Sequence, residues 1–165
     1  IRALVRSRGL GDVYKRQQTV NVLQAIALTE GDKMILTPTY HVLKMYTVHH
    51  DAQLLPVEYD SPKYNFKGDS LPAISVSASK DGEGNVNISL VNIDSKENHK
   101  LELGLEKLNV GKMKATILTS EKLQDHNTFD DPENILTEEF KDFRLRDGEL
   151  EVTIPPFSVV VLEEI

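Results

Sequence analysis

The chain has 165 residues, a formal charge of −7 and no cysteine. That length supports one sizeable core, and the lack of thiols excludes disulfides and thiolate metal sites. The acidic balance argues against nonspecific nucleic-acid binding, and no uninterrupted apolar run reaches the ~18 residues of a membrane-spanning helix.

Residues 1–17 differ in character from the rest of the chain. Arg2, Arg6, Arg8, Lys15 and Arg16 stand there against a single acid, Asp12. An Arg-rich, acid-poor start fits a transit peptide or a basic arm. Ser7 to Gln17, however, looks like translated sequencing-adapter read-through. The segment has no continuing apolar period and no helix cap. Residues 1–17 are therefore read as an artefactual or disordered extension, with the genuine chain starting near Gln18, inside a strand.

Gln18 to Ala25 carries the apolar run Val20-Asn21-Val22-Leu23, which suits a parallel strand buried on both faces. Ala25 to Leu28 extends it as a short helical turn, and Thr29 to Lys33 is a polar break around Gly31. Met34-Ile35-Leu36 leads into a helix with Thr37 placed as N-cap and Pro38 as first residue. Val42, Leu43, Tyr46 and His49 share one face at helical spacing, with Met45 beside them.

After His50 the chain reads as short strands and turns. Leu54 to Val57 reads as an edge or crossing strand, because Pro56 cannot donate to a central ladder. Tyr59 to Asp69 reads as a loop around the Asp60-Ser61-Pro62 turn. Ile74, Val76 and Ala78 alternate with Ser75, Ser77 and Ser79, a half-buried antiparallel strand with a hydroxyl-rich outer face. Lys80 to Asn85 is a hairpin connection into Val86, Ile88 and Leu90. Val91 and Ile93 leave that phase, which marks a bulge or a stretch covered on both faces.

Leu101, Leu103 and Leu105 recur with period two, as do Met113, Ala115 and Ile117, and again Leu150, Val152 and Ile154. Ser120 to Asn134 is a long irregular stretch of the kind that packs across an interface. Asp147-Gly148 is a hairpin signal. Pro155-Pro156 makes a corner before the apolar strand Phe157 to Leu162. About seven or eight short strands at turn-punctuated intervals indicate a mainly β fold, an antiparallel β-sandwich.

Motifs for chemistry are sparse. His41, His49, His50, His99 and His126 form no i,i+4 pair and no His-Glu-x-x-His, so no zinc site is expected. Gly82-Glu83-Gly84 is a turn without the pattern that phosphate binding requires. Asn87-Ile88-Ser89 fits a glycosylation sequon but falls in a strand. No serine is flanked by elbow glycines. The acids lie mostly in turns and on outward strand faces, where a solvated surface explains them. No catalytic residue, metal or cofactor is expected from these residues.

Several stretches are nonetheless distinctive. They are Thr19-Val20-Asn21-Val22-Leu23-Gln24-Ala25, Thr37-Pro38-Thr39-Tyr40-His41-Val42, and Tyr46 to His49 followed by Ala52-x-Leu54-Leu55-Pro56. His126-Asn127-Thr128-Phe129 and the terminal Pro-Pro-x-Ser-Val-Val-Val-Leu run join them. Together they resemble the family 51 α-L-arabinofuranosidases, from Gln18 to the end. The resemblance implies that residues 18–51 are the last strand and helix of a (β/α)8 catalytic barrel and that residues 52–165 are the C-terminal, jelly-roll-like sandwich.

The intact enzyme would then be a retaining glycoside hydrolase that releases terminal arabinofuranosyl residues from hemicellulose oligosaccharides. Both catalytic glutamates would lie upstream of this stretch, leaving the chain alone inactive. Gln18 matches the glutamine of the family's Ala-Gln-x-Val-Asn pattern, with Gln17 in place of the alanine, and is the implied substrate contact. The implied partners are an arabinose-containing oligosaccharide, the barrel, and further copies in a homo-oligomer. A cytoplasmic location is expected, with neither nucleic acid nor membrane as partner. The rival reading is a non-catalytic carbohydrate-binding or interaction sandwich. Such modules stack sugars on exposed rings, and this chain has no Trp.

Overall fold

The computed structural model describes residues 19–105 and 107–165. A hairpin of β1 (Ala27–Glu30) and β2 (Lys33–Leu36) leads into helix α1 (Pro38–Met45), which tightens into a 3-10 turn, Tyr46–His49. There follow β3 (Gln53–Leu55), β4 (Lys63–Phe66), β5 (Asp69–Pro72), β6 (Ile74–Lys80), β7 (Val86–Asn92) and β8 (His99–Gly104). The chain ends with β9 (Met113–Leu118), β10 (Glu138–Glu139), β11 (Phe143–Arg146), β12 (Glu149–Ile154) and β13 (Ser158–Glu164).

Two antiparallel sheets make a sandwich. One has six strands in the order β10-β9-β13-β7-β6-β3; the other has three, β11-β12-β8. Period-two alternation decides which side chains meet between them. Ile74 and Ala78 of β6, Val86, Ile88 and Leu90 of β7, and Val160 and Leu162 of β13 point inward. They pack on Leu150, Val152 and Ile154 of β12, all buried. The outer face of the smaller sheet is charged: Arg144 pairs with Glu151, and Glu151 with Glu102, in cross-strand register. Arg144 and Glu102 on that face are exposed.

The larger sheet is covered on its other face too. Met45 of α1 packs with Leu118, Ile135 and Val161, flanked by Val42, Tyr46 and Val48. This settles the phase break at Val91. The β6–β7 and β7–β13 registers run without a skip, so there is no bulge; β7 is a strand covered on both sides.

The hairpins follow their turn residues. Asp147 and Gly148 both take positive φ, 51° and 80°, as a two-residue hairpin of primed type needs. The Lys80–Asn85 connection closes around Asp81, whose Oδ1 accepts the N–H groups of Glu83 and Asn85, both at 2.9 Å. Leu54-Leu55 is an edge strand, as expected from Pro56.

Three local expectations are corrected. Tyr59 to Asp69 is not all loop: β4 and β5 pair through a turn in which Lys67 (φ 50°) and Gly68 (φ 95°) are both left-handed. Residues 20–25 form bends and a turn rather than a strand. Val20 makes a single parallel bridge to Ala27, and Leu23 is 84% exposed. An apolar run becomes a strand only where a ladder receives its N–H and C=O groups, and Asn21 and Gln24 take positive φ instead. The segment after it, read as a helical turn, is the first strand of the β1–β2 hairpin.

Candidate functional site

Gln18, the implied substrate contact, lies outside the described residues. Its neighbour Thr19 is held by the N–H groups of Ile26 and Ala27, which donate to its carbonyl at 3.0 and 3.1 Å. Asn21 satisfies backbone, as its chemistry suggests: Nδ2 donates to the Thr29 carbonyl (3.2 Å) and hydroxyl (2.8 Å), and Oδ1 accepts the Thr29 N–H at 2.7 Å. Asn21 does so at an exposed position.

Thr37 occupies the N-cap position before Pro38, but its hydroxyl caps nothing. It donates backward to the carbonyls of Ala25 (2.6 Å) and Ile26 (3.2 Å), clipping the hairpin to the start of the helix. The helix face also differs from the expected one. His41 and Met45, one turn apart, are its buried residues, while Leu43 is 50% exposed. Burial pushes the His41 pKa down, and the nearby Lys44 charge adds to that.

The densest polar arrangement lies where the 3-10 turn crosses β6 and β7. His49 Nδ1 is 2.6 Å from Ser79 Oγ, and His49 Nε2 is 2.5 Å from Ser89 Oγ. One ring nitrogen donates and the other accepts. Asn87 donates to the Val48 carbonyl at 3.3 Å. Ser79, Ser89 and Asn87 are buried, so Asn87 in its sequon is covered by the turn. Burial lowers the His49 pKa. It raises that of Tyr46, against a hydrogen bond with Ser89. A Ser–His contact of this kind resembles an activated nucleophile, but Ser89 is 1% exposed and no substrate reaches it. The cluster anchors the turn to the sheet.

The long loop serves in the same way. Asn127 is buried; its Nδ2 donates to the carbonyls of Leu36 (2.8 Å) and Ile135 (3.0 Å), and its Oδ1 accepts the Ile135 N–H at 2.6 Å. It bridges the sandwich to the end of β2. No sequence signal singles out Ser79 or Ser89, and Asn127 stands out only as part of the His126-Asn127-Thr128-Phe129 stretch. The hint is hydroxyl and amide residues in phase on one strand face, which reads equally as solvent exposure.

The carboxylates sit in structural roles. The backbone N–H of Asn85 leads the groups that hold Asp81 below its ordinary pKa. Burial works against the charge of Asp94, but the N–H groups of Lys96 and Glu97 and the His99 ring outweigh it and lower the pKa. Glu164 accepts the N–H groups of Val86 (2.9 Å) and Gly111 (2.6 Å). Glycoside hydrolysis asks for a general acid whose pKa is raised, the opposite of Asp81 and Asp94. Among the described residues no group of three or more His, Asp or Glu is placed to hold a metal. A cleft of about 370 Å³ opens between the sheets, with β3, β6 and β7 on one side and β8 on the other. Leu55, Val76, Ile88, Leu101 and Leu103 line it, with Tyr59, Lys100 and Glu102 among the polar-tipped residues.

Residues 17–158 match the family described as the α-L-arabinofuranosidase C-terminal domain. The chain belongs to that family. It is 39% identical over 147 residues to an intracellular exo-α-L-arabinofuranosidase of Bacteroides ovatus, covering 88% of this chain and 29% of that protein. Among solved structures, the GH51 arabinofuranosidase of Xanthomonas axonopodis pv. citri superposes with a TM-score of 0.86 at 36% identity, over 90% of this chain and 30% of that one. An α-L-arabinofuranosidase of Thermotoga maritima, in complex with arabinose, gives a TM-score of 0.74 at 28% identity, over 90% of this chain and 33% of that one. This C-terminal arabinofuranosidase sandwich thus spans about a third or less of the length of these relatives. The rival reading as a free-standing carbohydrate-binding module is not favoured by these matches.

Proposed function

We propose that this chain is the C-terminal part of a retaining α-L-arabinofuranosidase that removes terminal arabinofuranosyl residues from hemicellulose oligosaccharides. The family match over residues 17–158 carries this reading. Residues 18–51 belong to the end of the catalytic barrel and residues 52–165 form the sandwich beside it. The two glutamates, acid/base and nucleophile, reside on the barrel. In that setting Gln18 contacts the sugar, its amide both donating to and accepting from a hydroxyl.

Exposed apolar residues of the N-terminal layer support the barrel assignment. Leu23 is 84% exposed, Met34 65% and Leu43 50%. Large side chains in such proximity along the chain are normally covered, and the barrel is the natural cover. The intact enzyme works in the cytoplasm as a homo-oligomer. The location follows the Bacteroides ovatus relative, which is described as intracellular.

The purified chain is expected to release no p-nitrophenol from p-nitrophenyl α-L-arabinofuranoside. Turnover above the buffer blank that persists through further purification would refute the assignment of the catalytic groups to the barrel.

A further inference from the structure

The layer of α1 and the 3-10 turn is held to the six-stranded sheet unlike the rest of the molecule. Its apolar seal is small, with Met45 the only fully buried apolar side chain it contributes. The remaining attachment is polar: His49 to Ser79 and Ser89, and Asn87 to the Val48 carbonyl. The sandwich core on the opposite face of the same sheet is mainly apolar, and its buried polar side chains Asn92 and Ser158, which donate to the Ile154 and Pro155 carbonyls, do not titrate. The two faces therefore differ in what can release them.

We propose that this layer is an acid-released flap, in which protonation of His49 undocks residues 38–49 from the sheet while the sandwich stays folded. The groups around the ring define the direction. β6 and β7 present Ser75, Ser77, Ser79, Asn87, Ser89 and Val91 on that face, none of them charged, and β3 presents Leu54. From β13 comes Glu163, already paired with Lys114 of β9 at 3.2 Å. From β10 comes Glu139, paired with Lys141 at 2.9 Å. Lys44 lies on the flap itself, and His50 and Asp51 follow directly after it in the chain. Among the described residues no unpaired carboxylate meets an imidazolium at Ser79 and Ser89, so the charge meets only hydroxyl dipoles.

Protonation also reorders the hydrogen bonds. The neutral ring accepts from one serine and donates to the other; the cation donates to both. Whichever serine donated to the neutral ring must then send its proton elsewhere, and Tyr46 already shares the Ser89 hydroxyl. His49 therefore binds a proton less readily docked than free, consistent with its lowered pKa. A histidine lowered in this way gives docking its full strength above the free value and weakens it as pH falls below about 6.5. His41, on α1, is buried with Nε2 lacking a protein partner and is lowered as well. It adds to the same dependence.

Amide hydrogen exchange of the whole chain between pH 8 and pH 5, corrected for intrinsic rates, reads the flap directly. For the His49 contribution, α1 protection falls by up to roughly 30-fold, the limit for one free histidine that must shed its proton to dock. β7, β12 and β13 keep theirs. His49→Gln, which retains a donor and an acceptor, flattens the α1 profile to the part carried by His41, and the His41→Gln, His49→Gln double variant removes it. Protection lost equally from α1 and β12, or an α1 profile unchanged in His49→Gln, overturns the proposal. If the double variant fails to fold, ring-proton NMR of the wild type decides: His49 must titrate in step with α1 opening.

Discussion

Asn127 offers the sharpest test of how the layers are joined. Replacing it by alanine strands the carbonyls of Leu36 and Ile135 and the N–H of Ile135, which it holds at 2.8, 3.0 and 2.6 Å. A buried polar group without a partner costs about 1–3 kcal/mol. Leu36 is only half-buried and water can serve it, so the lower end applies. Asn127→Ala is expected to lose about 3 kcal/mol, a fall in Tm of about 6–12 °C at this chain length. Asn127→Asp keeps the acceptor for Ile135 but turns a carboxylate oxygen toward two carbonyls.

At neutral pH the aspartate variant is therefore expected to be the less stable of the two. Repulsion by the carbonyls raises its pKa in the folded state, so its deficit narrows as pH falls and the carboxyl regains a donor. Urea unfolding followed by circular dichroism at pH 7 and pH 4 measures both. An alanine variant within about 1 kcal/mol of wild type, or an aspartate variant as stable as wild type at pH 7, would refute the bridging role.

Leu150 is fully buried at the centre of the sandwich, so Leu150→Ala should cost about 3–4 kcal/mol with an unchanged urea m-value. Gly68 has open space around a Cβ but φ of +95°, so Gly68→Ala should lose about 1 kcal/mol through backbone strain alone, read by thermal unfolding. Asp94 has a lowered pKa, so its contribution is full above the ordinary carboxylate range and fades as pH falls through the folded value. Asp94→Asn should flatten the acid limb of a stability–pH curve relative to wild type, and an unchanged limb would count against that linkage.

The sandwich strands are legible because their environment is one-sided or apolar. Leu150, Val152 and Ile154 alternate with residues that face water, and Asp147-Gly148 announces its own turn. β4–β5 is hidden because Pro62 and Pro72 read as loop boundaries and Lys67-Gly68 is a weak hairpin signal. The Val20-Asn21-Val22-Leu23 run looks like a strand because residue type reports burial preference, not the presence of a ladder. Ser79 and Ser89 read as solvated hydroxyls, since nothing local announces a helical turn packed on them. His49 meets them across 30 and 40 residues of sequence, and Asn127 meets Leu36 across 91. Such contacts have no local signature. Gln18 comes into view only through the resemblance to the arabinofuranosidases.

The central claim is that this sandwich and its N-terminal layer complete an arabinofuranosidase. Grafting residues 18–165 in place of the corresponding C-terminal part of the Xanthomonas axonopodis enzyme, 36% identical over the aligned region, tests it most directly. The account predicts a folded chimera that hydrolyses p-nitrophenyl α-L-arabinofuranoside, with kcat/KM reduced about tenfold or more by Gln18→Ala, as expected for loss of a transition-state hydrogen bond. A folded chimera with no hydrolysis, or one indifferent to Gln18→Ala, would contradict it.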